Sequence, residues 1–157
     1  MSDALITYLQ DHLAGARFAV TLLDDLIAQK ADADAAHLAA RLLSEIKHDR
    51  SVLEEFVNQF GADRSLVKEA SAWIAQKASK AKLDVSEPFG IFEAVELLSL
   101  GVLGKRALWN TLNELKRAGS FKCEPDLEEL IRSAEQQYEG LEKLRRNLAR
   151  RVFNDCN

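Results

Sequence analysis

At 157 residues, 47% of them hydrophobic and 29% charged, the chain is long enough for one domain, residues 1–157, with a sizeable core and an ordinary soluble composition. A formal net charge of −4 argues against a general affinity for nucleic acid, and no stretch approaches the run of about 20 apolar residues that a membrane span needs. Two prolines and seven glycines are few, which favours long uninterrupted helices over turn-rich β structure.

The opening MSDALITYLQDHLAG has acids where a signal peptide has positive charge, and no apolar block, so a cytoplasmic protein is expected. Apolar residues at three- and four-residue steps then predict a first long helix from Asp3 to Gln29, with the stripe Ile6, Leu9, Leu13, Ala16, Val20, Leu23 and Ile27. Asp32 or Asp34 can cap a second helix, whose stripe includes Leu38, Leu42, Val52 and Phe56, and Gly61 is its expected stop. Beyond it, Ser65 can cap a short helix that buries Leu66, Trp73 and Ile74. Ser86 followed by Pro88 starts a third long helix, since proline is tolerated in a first turn. Its stripe is Ile91, Ala94, Leu98, Gly101, Lys105, Leu108, Leu112 and Leu115, and Gly119 ends it. The run CEPD then starts a fourth helix with Leu127, Ile131, Ala134, Tyr138, Leu141, Leu148 and Val152. Cys123 and Cys156 fall near opposite ends of that helix, about 30 residues apart at about 1.5 Å each. A disulfide between them is geometrically excluded, and reduced thiols are expected.

The first two long helices are joined by a short turn and are expected to pack antiparallel, as are the last two. The connection between the second and third, roughly residues 61–87, is long enough to travel the length of a bundle. Two antiparallel hairpins joined by one long crossover is the ferritin-like arrangement, whereas an up-down-up-down bundle needs no such connection. Near the middle of the second helix stands E45-I-K-H48. Its spacing puts a carboxylate and an imidazole on one helix face, within reach of one metal ion. In this architecture, over nearly its full length, and in that motif, the chain resembles the ferritin-like superfamily.

The resemblance implies an all-α four-helix bundle. In metal-binding members it also implies a centre to which the first and third helices each give a glutamate, and the second and fourth each give Glu-x-x-His. Glu45 and His48 match that pattern. Glu135 matches by register, but Tyr138 stands where the family has histidine. Glu45 lies about 13 residues past the first turn, level at equal rise with roughly residues 16–20 of the first helix. That window, Ala16 to Val20, holds no carboxylate, and the corresponding level of the third helix, Gly104 to Leu108, holds Lys105. A di-metal centre needs several carboxylates to neutralise and bridge two cations. A degenerate centre is therefore expected. In it the Lys105 ammonium, helped by Arg17 and opposed by Glu45 or Asp49, takes the electrostatic role of the metal, and His48 and Tyr138 complete the hydrogen bonds. Two alternatives stand beside it. Glu45 and His48 can face solvent while Lys105 snorkels outward. Or Glu45, His48 and Glu135 can hold iron or another divalent metal in an oxidase or iron-storage relative.

Gly101 and Gly104 each cost a helix roughly 1 kcal/mol relative to alanine. Close helix approach is the first expectation for what offsets that cost, and space for a ligand the second. The run from Lys143 to Arg151 is basic, but basic residues belong at a helix C-terminus and the same helix starts acidic. Helix-dipole complementarity is preferred to nucleic-acid binding there. No Gly-rich phosphate loop, G-x-S-x-G or cysteine–histidine pair is present. The expected function is a non-catalytic interaction or small-ligand module without a cofactor. Its partner is a protein or small molecule, and Trp73, Phe89 and Trp109 feed contacts between identical chains, as in a homodimer.

Overall fold

The computed structural model describes residues 3–60 and 83–154. Among them are four helices and no strand: α1 (Asp3–Gln29), α2 (Ala33–Gln59), α3 (Pro88–Arg117) and α4 (Leu127–Phe153). The expected short helix with Ser65, Leu66, Trp73 and Ile74 lies outside the described residues, as do Gly61 and Cys156. No helix of the described residues is long and apolar enough to cross a membrane.

The helix ends follow from local chemistry. Lys30 takes a left-handed φ of 50° just after α1, and Asp32 then caps α2 by accepting from the Ala35 N–H at 2.8 Å. This satisfies one of the donors a helix start leaves open. Asp126 does the same for α4, accepting from Glu128 at 3.0 Å and Glu129 at 3.2 Å. Gly119, at φ 74°, ends α3 in a Schellman motif: its N–H reaches the Lys116 carbonyl and the Ser120 N–H reaches that of Leu115, both at 3.0 Å. Ser86 does not cap α3. Its N–H and hydroxyl both donate to the Asp84 carboxylate, and the cap position falls to Glu87, whose side chain makes no capping bond. Pro88 follows as the first helical residue. Buried Gly90 is required beside this turn, because a Cβ there would collide with the Asp84 carbonyl.

The core draws on all four helices. Buried apolar positions recur at steps of three and four, with one step of seven on each helix: Ala35, Ala39, Leu42, Ile46, Leu53 and Phe56 on α2; Ile91, Val95, Leu98, Val102, Trp109 and Leu112 on α3; Leu127, Leu130, Ala134, Leu141, Leu144 and Leu148 on α4. Burying each large side chain contributes about 1.5–3 kcal/mol. α1 packs mainly on α2, and α3 mainly on α4; the two pairs meet through α1 against α3 and α2 against α4. Trp109 is wholly buried in this core. The expectation that it serves an interface between chains is corrected accordingly, whereas Phe89 is exposed and Trp73 lies outside the described residues.

The basic end of α4 is largely tied down. Arg145 and Arg146 both donate to Glu142, whose pKa these bonds hold down to about 2. Arg145 also reaches Glu96 on α3 at 3.3 Å, and Arg151 reaches the α2 cap residue Asp32 at 2.7 Å.

Candidate functional site

Each of three helices has one polar residue on its heptad line: Asp49 on α2, Lys105 on α3 and Gln137 on α4. They meet. The Lys105 ammonium donates to Asp49 Oδ2 and to Gln137 Oε1. The Gln137 amide nitrogen donates to the same Asp49 oxygen at 3.3 Å and to Ser133 Oγ at 3.2 Å. The side chains of Lys105 and Asp49 are 14% and 5% exposed, and Gln137 is 2% exposed. A buried amide and a buried charge pair are tolerable only with such partners. Burial pushes the Lys105 pKa below its ordinary value; the Asp49 charge and hydrogen bond, and more weakly the Glu45 charge, oppose that shift.

The structure thus brings Lys105 and Asp49 together and leaves most of the other candidates outside. Glu45 is half-buried and acts on Lys105 only through its charge. His48 is exposed, and its carbonyl accepts from Ser51. Arg17 is exposed on α1. Glu135 is exposed and pairs with Arg106 at 3.8 Å. Tyr138 is half-buried and lines a separate cleft with Glu142 and Arg146. The hydrogen bonds expected of His48 and Tyr138 come instead from Gln137, one residue and about 100° around the helix from Tyr138. The signal for Gln137 was present in the sequence: the series 127, 130, 134, 137, 141, 144, 148 keeps an unbroken heptad that the line through Ile131 and Tyr138 does not. Among the described residues no group of three or more His, Cys, Asp or Glu side chains is placed to hold a metal ion.

Beside the charge pair lies a cavity of about 550 Å³ between α1, α2 and α3. Phe18, Leu22, Ile46, Leu53, Leu98 and Leu108 give it apolar walls, and Asp49 and Lys105 stand in one side. Its existence follows from side-chain size. α1 presents Gly15, Ala16 and Ala19 to the seam, and α3 presents Gly101 and Gly104. A Cβ built on Gly15 or Gly101 would meet nothing within 4 Å, and one on Gly104 would meet only His12 at 3.8 Å. The expectation of close helix approach is therefore corrected at Gly101, an exposed position where the missing atom leaves open space, whereas a Cβ on Gly104 would make an ordinary contact with α1.

His12 also lines the cavity. Its ring stands edge-on to Tyr8, one turn earlier, with centroids 4.6 Å apart. Burial lowers its pKa below the ordinary 6.5, outweighing the opposing charge of Asp11. Between the folded value and 6.5 the unfolded chain binds more protons, so stability rises with pH through that window and falls as the solution is acidified. His12→Asn is expected to flatten the slope of urea stability against pH just below 6.5, with the remaining slope at lower pH unchanged.

No known protein family, characterised protein or solved structure matches this chain.

Proposed function

We propose that the protein is a ferritin-like bundle with a degenerate metal centre that works as a non-catalytic, small-ligand-binding module. The topology is supported by the packing pattern. α1 lies against α2 and α3, and α4 against α3 and α2, so α2 and α3, joined by the long connection, are not principal neighbours. That is what a crossover between two hairpins requires. The mid-bundle level, where active relatives hold cations, carries the Lys105 ammonium between a carboxylate and an amide. That donor set suits an ammonium and does not fit a divalent cation.

The observation that carries the ligand-binding reading is the cavity itself. At about 550 Å³ it falls within the range of pockets that take drug-sized molecules, and it combines apolar walls with a few convergent polar groups. Gly15 and Gly101, where a Cβ would meet nothing within 4 Å, are a standing loss of helix stability without a packing gain, which a binding role accounts for. Nile red, a neutral apolar dye, is expected to bind with enhanced fluorescence. Gly101→Phe, which adds a ring at a position lining the cavity, should weaken that binding at least about tenfold, or 1.4 kcal/mol, while the helix content holds. Dye binding that is indifferent to this substitution would remove the cavity from the account.

A further inference from the structure

The hydrogen-bonding capacity left over in the cavity wall defines the ligand more closely, given the binding role proposed above. An ammonium has three N–H donors. Lys105 uses them on Asp49 and Gln137, which leaves one without a partner among the described residues. Asp49 accepts both of its side-chain bonds on Oδ2, so among the described residues Oδ1 has no donor. At this point the wall therefore offers one donor and one acceptor side by side, on two residues that both line the cavity; Arg50 Nε and Trp109 Nε1, on two further lining residues, are buried donors without a hydrogen-bond partner among the described residues.

Charge narrows the choice further. The charges lining the cavity are Asp11, Asp49, Arg50 and Lys105. Lys105 is paired with Asp49, Arg50 lies 3.5 Å from Glu54, and Asp11 is exposed. Glu45 adds a further negative charge near Lys105. A ligand carboxylate would meet the Asp49 carboxylate at once, and a ligand ammonium would meet Lys105. Either brings an uncompensated charge into an apolar space. A hydroxyl brings none, and it both donates and accepts.

We infer that the cavity takes a neutral, mainly apolar alcohol. Its hydroxyl accepts from Lys105 Nζ and donates to Asp49 Oδ1, and its hydrocarbon body lies along Phe18, Leu22, Ile46 and Leu98. The choice of a hydroxyl follows from the adjacent unused donor and acceptor at Lys105 and Asp49. The apolar body follows from the walls, which offer it van der Waals contact and little else.

The test is calorimetric titration of the wild-type protein with three ligands of one chain length: 1-decanol, decanoate and decylamine. 1-Decanol is expected to bind at least about tenfold more tightly than either charged analogue at pH 7, and Gly101→Phe is expected to abolish its binding. If decanoate or decylamine binds as tightly as the alcohol, and Gly101→Phe abolishes that too, the alcohol assignment is overturned and the binding role survives. If none of the three binds, or if binding ignores Gly101→Phe, the binding role and the alcohol assignment fall together.

Discussion

Asp49→Ala is expected to destabilise the protein by about 3–5 kcal/mol, because it leaves the Lys105 ammonium in the core without its counter-charge. Gln137 would still accept from Lys105, but a neutral amide offsets only part of the loss. Lys105→Met should cost a comparable amount for the mirror reason: Asp49 would keep only the Gln137 amide, at 3.3 Å. Replacing both, as Asp49→Leu with Lys105→Met, removes both charges and fills the space with apolar volume. Such replacements are often neutral, or stabilising by about 1–4 kcal/mol. The double variant should therefore be more stable than either single one, and urea denaturation of the wild type, Asp49→Leu, Lys105→Met and the double variant gives the coupling directly. Single substitutions that each cost less than about 1 kcal/mol would place the pair in solvent, where ion pairs contribute that little.

Trp109 should separate packing from hydrogen bonding. It is wholly buried, with its ring centroid 6.4 Å from that of Phe56. Its indole N–H has no partner among the described residues. Trp109→Ala is expected to cost about 3–5 kcal/mol, as removal of a large buried ring does. Trp109→Phe removes part of the ring but also an unpaired buried donor, whose burial costs about 1–3 kcal/mol. The two effects nearly cancel, so Trp109→Phe should cost under about 1 kcal/mol. Thermal or urea unfolding reads both variants. A Trp109→Phe loss approaching that of Trp109→Ala would mean that the N–H is satisfied.

The helices were legible because their signals are local. The apolar steps of α1 predict Asp3 to Gln29, which is where the helix runs. Asp32 and Gly119 act as the cap and the stop that their chemistry suggests. The level of Lys105 was also legible, since equal rise from a short turn fixes height along a bundle to within about a turn. Direction around the helix was not. His48 and Asp49 differ by one residue, yet one is exposed and the other is 4% exposed. E-x-x-H spacing shows that two side chains share a face, not which way the face turns. Only the heptad line through Ile46, Leu53 and Phe56 points to Asp49. The cavity was the least legible feature. Glycine at a helix seam fits both a close approach and an empty space, and the separation of α1 from α3, a long-range property, decides between them.

The most direct measurement of whether Lys105 stands in the place of a metal is the metal content of the purified protein. Iron, manganese and zinc would be supplied in the growth medium and counted per chain in wild type and in Glu45→Ala. With an ammonium at mid-bundle and His48 and Glu135 turned to solvent, the wild type is expected to carry none of the three in stoichiometric amount, and Glu45→Ala to look the same. Stoichiometric metal in the wild type that is lost in Glu45→Ala would contradict the account.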